Sequence, residues 1–253
     1  NLNPDPKVLK NLESVSKTVK KCEEDLGIAF DGNADRLGVI TNKGENIWPD
    51  RQLMVYAKNV IDHNPEAMII FDVKCTRYLP EKIREFGGKP LMWKTGHSLI
   101  KQRMAELKCK FGGEMSGHIF FADDFFGFDD ALYVAARLVQ LLSRTDKTLS
   151  ELKAVLPIYY STPEMRMACE SDEEKFRIAK EAEEFFIANY DCSTVDGVRI
   201  KFGDGWGLVR SSNTQPVIVC RFEANTQSRM EEIKDLVLSK LLTIGKLEIE
   251  VGY

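Results

Sequence analysis

Between residues 45 and 155 the chain alternates between helical and strand patterns, and this alternation restricts its fold more than any other feature. The segment 67–73 is apolar apart from Asp72, as is typical of a strand that is buried on both faces of a sheet. Helical spacing precedes it at Leu53–Ile61 and follows it over Leu79–Phe86, where two glycines indicate the helix end. The order β-α-β-α-β predicts a doubly wound α/β domain over residues 45–155.

The second half of this domain continues the alternation. Leu91–Trp93 has the pattern of a short strand, and Ser98 is placed to cap a helix that ends near Leu107. Cys109–Phe111 predicts another strand, and Phe128–Leu142 predicts a long helix.

The flanking residues predict two further pieces. Residues 1–44 hold one helical pattern and two short apolar strands, too few for a stable domain, so we interpret them as the C-terminal remnant of an α/β domain. Residues 156–253 combine runs of strands with two helices, one of them opened by a capping box at Ser171 and Glu174. This predicts a smaller α+β domain.

Charge and cysteine content limit the class of partner. A net charge of −4 with interspersed acids and bases gives no basic surface for nucleic acid or an anionic membrane. The six cysteines show no C-x-x-C spacing and are expected to be free thiols in a reducing compartment. Because we see no signal peptide and no long apolar span, we expect a cytoplasmic protein. The first residue is Asn1 rather than methionine, so we expect that upstream sequence is absent.

The first polar loop that carries chemistry is 31–36. Asp31, Asn33 and Asp35 alternate with small residues directly after an apolar strand, so their oxygens can converge on a hard divalent cation such as Mg²⁺. Arg36 adds a guanidinium suited to phosphate. An acidic hairpin turn explains the same residues about equally well.

Two more loops follow apolar strands and bring positive charge. They are 72–77 and 94–98, and they would give one edge of the sheet a cationic lining suited to a phosphorylated substrate. Ordinary surface residues remain the alternative for any one of them. The side chains concerned are Lys74, Arg77, Lys94 and His97.

The loop 113–118 combines glycines with groups that can bind a sugar. Glu114 and Ser116 can hydrogen-bond hydroxyls, and His118 can transfer a proton near neutral pH. A surface turn explains the glycines well, and explains the pairing of an acid with one of only three histidines less well.

The loop 210–216 joins two apolar strands and offers a cradle for a phosphate group. It contains a guanidinium, hydroxyls, an amide and backbone N–H groups. A polar hairpin is the alternative. The candidate ligands are Arg210, Ser212, Asn213 and Thr214.

Together these loops resemble, in order and over essentially the whole chain, the α-D-phosphohexomutase family, in its bacterial phosphomannomutase/phosphoglucomutase branch. The resemblance implies four domains around one cleft and a phosphoserine in the first domain. It implies that Asp31, Asn33 and Asp35 hold Mg²⁺ against the phosphoserine and that Arg36 faces its phosphate.

The same resemblance implies roles for the remaining candidates. Lys74 would lie near the transferred phosphate, His97 would orient the sugar, and His118 would be a general acid or base. Glu114 and Ser116 would bind sugar hydroxyls. The phosphate that does not react would be held by Arg210, Ser212, Asn213 and Thr214.

Two departures from the family pattern matter. No segment matches the family's serine loop, so the domain that carries the phosphoserine is an expected partner, with the phosphohexose as substrate. The middle metal ligand is usually Asp and is Asn33 in this chain, which removes one negative charge.

The resemblance implies interconversion of hexose 1-phosphate and hexose 6-phosphate, with mannose or glucose as the sugar, through a bisphosphorylated intermediate. We expect residues 1–253 to be inactive without the phosphoserine domain. Two alternatives remain open at this point: a non-catalytic module that binds phosphosugars, and an aspartyl-phosphate phosphatase with Asp31 as nucleophile.

Overall fold

The structure, a computed structural model, describes residues 4–250 in two compact units. Unit 1 spans residues 1–157 and unit 2 spans residues 158–253. The helices and strands of unit 1 are α1 (Leu9–Cys22), β1 (Leu26–Phe30), β2 (Leu37–Thr41), β3 (Asn46–Ile47), α2 (Pro49–His63), β4 (Met68–Asp72), α3 (Tyr78–Glu85), β5 (Lys89–Trp93), α4 (His97–Leu107), β6 (Phe111–Gly113), β7 (Ile119–Phe121), α5 (Ala131–Leu142) and α6 (Leu149–Ala154).

Unit 1 contains two sheets. β1, β2 and β3 form an antiparallel meander in that order. The second sheet has the order β5-β4-β6-β7, in which β4 is parallel to both β5 and β6 and β7 is antiparallel to β6. Helices cover both faces of this sheet, which confirms the α/β architecture expected from the alternating pattern.

The central strand β4 shows why the sequence there is almost continuously apolar. Ile69 and Phe71 point into the large core that includes α2 and α3, whereas Ile70 packs with Ile100 and Met104 of α4 on the opposite face. Both faces of the strand are therefore removed from water, as the apolar run predicts.

The helix at 97–107 does not begin as expected. Its first residue is His97, and its N-cap is Gly96, which makes no side-chain cap and has a φ of 137°. Ser98 lies inside the first turn, so the predicted cap is wrong. Glycine adopts this backbone conformation readily, and the end of β5 dictates it.

The long helix α5 begins at Ala131 rather than at Phe128. Asp130 is its N-cap, and the carboxylate accepts a hydrogen bond from Tyr133 N at 2.9 Å. Phe128 lies in the loop before it and is 43% exposed. The sequence pattern also missed strand β7 and helix α6, which are only three and six residues long.

Residues 26–47 share a core with the rest of unit 1. Leu37 and Val39 of β2 belong to the same buried cluster as the side chains of α2 and α5. β3 extends this sheet beyond residue 44. The predicted domain boundaries at residues 44 and 155 remain a proposal.

Unit 2 is an antiparallel sheet covered on one face by two helices, as expected for an α+β unit. The sheet order is β10-β11-β12-β13-β9-β14, and the short β8 pairs with the end of β13. The helix α7 is capped by Ser171, whose side chain accepts from Glu174 N, as predicted. The elements are β8 (Tyr160–Ser161), β9 (Met165–Ala168), α7 (Asp172–Asn189), β10 (Cys192–Ser193), β11 (Val198–Lys201), β12 (Gly205–Ser211), β13 (Val217–Ala224), α8 (Gln227–Ile244) and β14 (Glu248–Glu250).

The helices of unit 2 bury one face of the sheet almost completely. Phe186 of α7 and Val237 of α8 pack against Cys220 and Phe222 of β13. All six cysteines of the chain are free thiols, as expected. Within residues 4–250, no helix has both the length and the apolar character needed to cross a bilayer.

Candidate functional site

The three parallel strands of unit 1 end at the same edge of their sheet. β4 ends at Asp72, β5 at Trp93 and β6 at Gly113. Because the carboxyl ends of parallel strands meet at one edge, the loops 72–77, 94–98 and 113–118 converge there. Three of the segments singled out in the sequence are thus brought together by topology.

The buried Asp72 ties these loops to one another. Its carboxylate accepts hydrogen bonds from Thr95 Oγ1 (3.2 Å), Met115 N (3.1 Å) and Cys75 Sγ (3.1 Å). Burial raises the pKa of Asp72, and the nearby charge of Lys74 opposes that effect. Sequence reasoning gave Asp72 no role, because its contacts come from distant segments.

The side chains of the predicted cationic lining differ in their burial and in their contacts. Lys74 is buried, with Nζ 3.8 Å from Asp72 Oδ2, so its charge faces the convergence of the loops. The guanidinium of Arg77 lies over the ring of Tyr78, 5.0 Å from its centroid, and Lys94 is exposed. Lys74 is therefore the strand-end cation closest to the buried acids.

Glu114 and His118 form a buried acid–imidazole pair. His118 is 6% exposed and Glu114 is 2% exposed. His118 Nδ1 lies 3.1 Å from Glu114 Oε2 and 2.9 Å from Ser116 Oγ, and Gly96 N donates to Glu114 Oε1 at 2.6 Å. Burial opposes ionisation of Glu114, but its contacts with His118 and with the charge of Lys74 outweigh burial and lower the pKa of Glu114.

The contacts of His118 assign the roles of its two ring nitrogens. Glu114 can only accept at Nδ1 when it is ionised. Arg36 Nε can donate to Nε2 at 3.4 Å, while Asp35 Oδ1, which is proposed as a metal ligand, lies at the same distance from Nε2. We therefore assign the proton to Nδ1 and the lone pair to Nε2. This arrangement leaves Nε2 able to accept a proton from a bound hydroxyl group.

The loop 31–36 curls around its first acid. Asp31 Oδ1 accepts hydrogen bonds from Asp35 N (3.1 Å) and Arg36 N (3.2 Å), and Asn33 Nδ2 donates to Asp35 Oδ2 at 2.7 Å. Burial and the adjacent Asp35 carboxyl raise the pKa of Asp31. Burial also acts on Asp35, but hydrogen bonds with Asp31 and Asn33 outweigh it and lower the pKa of Asp35.

These oxygens suit a hard divalent cation. Asp35 Oδ1 is buried and makes no hydrogen bond with any described residue, although His118 Nε2 lies 3.4 Å away. A cation would relieve the crowding of the Asp31 and Asp35 carboxylates and would satisfy that oxygen. Asn33 needs only a half-turn of its amide to present Oδ1 in place of Nδ2.

Arg36 is held at the end of the loop 31–36 by acids on several sides. Its guanidinium lies 3.6 Å from Asp5, 3.7 Å from Asp31 and 3.7 Å from Asp35. The Nε of Arg36 also lies 3.4 Å from His118 Nε2, in the loop 113–118. The loop 31–36 and the loop 113–118 therefore meet in unit 1.

Asp129 is a member of the same cluster that sequence reasoning missed. Asp129 Oδ2 lies 2.9 Å from His97 Nδ1 and 4.0 Å from His118 Nε2, and Lys101 Nζ donates to Oδ1 at 2.7 Å. Two adjacent acids, Asp129 and Asp130, precede α5, and only Asp130 caps the helix. The sequence therefore contained a signal that Asp129 could have another role.

The loop 210–216 belongs to unit 2. Arg210 is 5% exposed, and its Nε donates to Asp196 Oδ2 at 2.9 Å. Its Nη2 is buried and makes no hydrogen bond with a described residue, so that nitrogen can donate to an anion. Asn213 and Thr214 are exposed at the loop tip, while Ser212 is buried and its Oγ accepts from Thr214 N at 3.3 Å.

Lys175 is a second residue that the sequence did not single out. It is buried in α7, and its Nζ donates to the carbonyl oxygens of Ser212 (3.0 Å) and Gln215 (3.1 Å). These bonds hold the loop backbone from beneath. The geometry of the loop 210–216 thus depends on a helix some forty residues earlier in the chain.

Comparison with protein families gives three consecutive matches. The family model described as phosphoglucomutase/phosphomannomutase, alpha/beta/alpha domain II, matches residues 1–44. The model of alpha/beta/alpha domain III matches residues 48–159, and the model of the C-terminal domain matches residues 164–240.

Individual proteins agree with these matches. A phosphomannomutase/phosphoglucomutase of Pseudomonas aeruginosa is 47% identical over 245 residues, which are 96% of this chain and 53% of the relative. A phosphoglucomutase of Neisseria gonorrhoeae is 46% identical over 237 residues, 93% of this chain and 51% of the relative. The chain therefore spans about half the length of the curated relatives it matches.

A solved structure supports the same fold. The phosphoglucomutase/phosphomannomutase family protein of Burkholderia thailandensis superposes with a TM-score of 0.88 at 43% identity, covering 96% of this chain and 53% of that one. An N-acetylphosphoglucosamine mutase of Aspergillus fumigatus, solved with GlcNAc-6P and magnesium, has a TM-score of 0.67 at 14% identity over 93% of this chain and 54% of that one, and shares the fold alone.

Proposed function

Because the chain belongs to the phosphoglucomutase/phosphomannomutase family, we propose that it forms part of a mutase that interconverts hexose 1-phosphate and hexose 6-phosphate. Mannose and glucose are the proposed sugars, since both occur in the names of the relatives. The observation that carries the proposal is the convergence of Arg36, Lys74 and the Glu114–His118 pair in unit 1.

The proposed reaction takes place through a phosphoserine, as the family resemblance implies. We place that serine outside residues 1–253, in a domain that acts as partner to this chain. A sugar hydroxyl attacks the phosphoserine phosphorus, and the serine oxygen leaves. The resulting bisphosphorylated sugar reorients in the site, and it then returns its other phosphoryl group to the serine.

His118 accepts the proton of the attacking hydroxyl at Nε2. The long 3.4 Å contact with Arg36 is replaced by the hydroxyl in this step, and the Glu114 carboxylate stabilises the imidazolium that forms. The departing serine oxygen takes up a proton in the same half-reaction, so that the net transfer is from the sugar hydroxyl to the serine. In the second half of the cycle the serine hydroxyl loses a proton as it attacks, and the sugar oxygen that loses its phosphoryl group gains one. A general base in this position contributes on the order of 10²- to 10⁴-fold to such a step.

Most of the remaining stabilisation of the transition state comes from positive charge near the reacting phosphate. Phosphoryl transfer depends chiefly on positioning and on neutralising oxygen charge, which Arg36 and Lys74 supply. Asp31, Asn33 and Asp35 would hold Mg²⁺, which supplies Lewis-acid neutralisation of phosphate oxygens when bound.

The sugar and the second phosphate have their own proposed ligands. Ser116 and His97 are accessible to a sugar, whereas Glu114 must exchange its bond with Gly96 N or with His118 to reach a hydroxyl. In unit 2 the unsatisfied Nη2 of Arg210 supports binding of the phosphate that does not react, with Ser212, Asn213 and Thr214 completing the cradle. From the free thiols we propose the cytoplasm as its compartment.

The test is complementation. The chain is mixed with the N-terminal half of the Pseudomonas aeruginosa relative, and turnover of mannose 1-phosphate and glucose 1-phosphate is measured with a bisphosphorylated hexose present. We expect activity from the mixture and none from the chain alone. His118→Asn should lower turnover by about 10²-fold or more, while His63→Asn, at an exposed histidine on α2, should not change it.

Three results would overturn the proposal. One is a mixture that folds and associates but turns over no phosphohexose. Another is hydrolysis of phosphoesters by the isolated chain that is lost in Asp31→Asn, which would identify a phosphatase. The third is full activity of His118→Asn, which would remove the proposed proton acceptor.

A further inference from the structure

The cluster of His97, His118 and Asp129 has a composition that differs from that of the Mg²⁺ loop beside it. It offers two imidazole nitrogens and one carboxylate oxygen, and these three atoms lie within 4.8 Å of one another. Imidazole is a ligand of choice for Zn²⁺ and its neighbours in the first transition row, whereas Mg²⁺ prefers oxygen ligands and water. Two sites of different chemical preference therefore lie side by side.

We propose that His97, His118 and Asp129 form a binding site for Zn²⁺ or a similar transition-metal cation. The set of two histidines and one carboxylate is one that zinc uses when it keeps a fourth position open for water or a ligand. Neither the family models nor the relatives' names assign a metal to these residues.

The separations are close to those of a tetrahedral ion. Ligand atoms bonded at about 2.0–2.1 Å in a tetrahedral site lie about 3.3 Å apart. The distance from Asp129 Oδ2 to His97 Nδ1 is 2.9 Å, and that to His118 Nε2 is 4.0 Å. Shifts of well under 1 Å bring these two pairs to the tetrahedral separation.

His118 already has the hydrogen bonding of a metal ligand. A ligating histidine donates its other ring N–H to a carboxylate or carbonyl, which fixes the ring and its tautomer. Glu114 Oε2 lies 3.1 Å from His118 Nδ1 and leaves the Nε2 lone pair directed toward the cluster. This observation is independent of the ligand distances and points to the same site.

Asp129 is oriented in a similar way. Lys101 Nζ donates to Asp129 Oδ1 at 2.7 Å, so Oδ2 is the oxygen left to face the two histidines. The Lys101 ammonium also lies 3.4 Å from His97 Nδ1, so it weakens cation binding and must move away from that nitrogen when the ion binds, but it fixes the carboxylate. The Asp129 carboxylate and the His118 imidazole are therefore both held in position by a charged neighbour, Lys101 and Glu114 respectively.

His97 is the adaptable member. Its ring lies nearly parallel to that of His118, with an interplanar angle of 22° and centroids 5.2 Å apart. It must therefore turn about its side-chain bonds to aim a nitrogen at the ion. Its side chain is 48% exposed at the first residue of α4, which leaves room for that turn.

Occupancy has a direct chemical consequence. The ion would take the Nε2 lone pair of His118, which is the proton acceptor of the proposed reaction, so zinc would act as an inhibitor that competes with sugar binding. This consequence rests on the proposed function. The binding itself does not, and the two are tested by different measurements.

The experiment is calorimetric titration of the 253-residue chain with Zn²⁺ in the presence of excess Mg²⁺. Single-site binding is expected. His97→Asn and Asp129→Asn should each weaken it by at least about 10-fold, and Glu114→Gln should weaken it by about 10- to 100-fold. The matched control is His63→Asn, the only other histidine of the chain, which should leave the affinity unchanged. Circular dichroism establishes that each variant is folded.

Titration with Co²⁺ identifies the ligand type by its visible absorption. Bands of a four-coordinate ion without thiolate charge transfer support the site. The proposal is overturned if excess Mg²⁺ abolishes zinc binding, since the ion would then occupy the Asp31–Asp35 loop. It is equally overturned if His97→Asn and Asp129→Asn bind zinc as the unmodified chain does, or if a Co²⁺–thiolate band shows that cysteines hold the ion.

Discussion

Replacing Asn33 by Asp should tighten Mg²⁺ binding to the loop 31–36 about tenfold. Asn33 Nδ2 lies 2.7 Å from Asp35 Oδ2, so a carboxylate at position 33 would lie directly beside the acid that is proposed to bind the ion. The present amide offers a dipole where the family resemblance implies a full charge. The substitution therefore isolates the contribution of one negative charge to the site.

The magnitude follows from Coulomb's law and the exposure of the loop. A divalent ion about 2.1 Å from a carboxylate oxygen gains about 4 kcal/mol in bulk water. Repulsion from the Asp31 and Asp35 carboxylates, whose charges would lie roughly 3–4 Å away around a shared ion, opposes this by about 1 kcal/mol apiece. Part of the remainder is already supplied by the amide oxygen of Asn33, which leaves about 1–2 kcal/mol, or roughly 5- to 30-fold in Kd.

The assay is calorimetric titration with Mg²⁺, repeated with Mn²⁺ and read by water-proton relaxation. The matched control is Gln140→Glu, which makes the same change in net charge at an exposed position on α5. It lies about 13 Å along the helix from Ala131, the residue that contacts the loop through Ala34 O. In the absence of the ion, Asn33→Asp should unfold about 1 kcal/mol more easily because of the added repulsion.

The reasoning is refuted if Asn33→Asp leaves the Mg²⁺ affinity unchanged or weakens it. It is also refuted if Gln140→Glu tightens binding by the same factor, because the effect would then come from overall charge rather than from ligation.

Three further predictions concern stability and are checked by urea unfolding. Arg137 holds the pKa of Asp123 below its usual range against the effect of burial, so the pair stabilises the fold fully above about pH 4 and ceases to do so as the pH falls through the folded-state pKa. Asp123→Asn should therefore cost about 3 kcal/mol at pH 7 and progressively less as the pH falls below about 4; a loss that does not change with pH contradicts this. Ala34 has a φ of 57°, so Ala34→Gly should stabilise by about 0.5–1 kcal/mol, and a loss of stability would show that the strain is absent. A Cβ at Gly112 would lie 2.3 Å from Ile70 Cγ2 and 2.9 Å from its carbonyl oxygen, so Gly112→Ala should destabilise by about 1–3 kcal/mol; unchanged stability would mean that β6 can move away from β4.

Much of the secondary structure was readable from short-range patterns. The apolar run at 67–73 specifies a strand buried on both faces, because only a central strand removes successive side chains from water on both sides. Ser171 marks the start of α7 because its hydroxyl bonds to a backbone N–H three residues later. Such interactions lie within a few residues and need no knowledge of the fold.

The errors occurred where distant contacts decide the outcome. Ser98 is a good capping residue, but the turn that leaves β5 places Gly96 at the cap. Phe128 continues the apolar pattern of α5, but the carboxylate of Asp130 accepts a hydrogen bond from Tyr133 N and starts the helix later. β7 is three residues long and is defined by its pairing with β6 rather than by its own sequence.

The residue types of the candidate site were determined by the sequence alone. The meeting of the loops 72–77, 94–98 and 113–118 also followed from it, because they leave parallel strands whose carboxyl ends lie at one edge of a sheet. Their partners were decided only by the tertiary structure. Asp72 bonds to Met115 N, Asp129 contacts His97, and Glu114 accepts from Gly96 N, through contacts between segments that are far apart in the chain. The spacing of residues along the sequence does not predict such long-range contacts. They are decided by the sheet topology and by the requirement that buried polar groups form hydrogen bonds with one another.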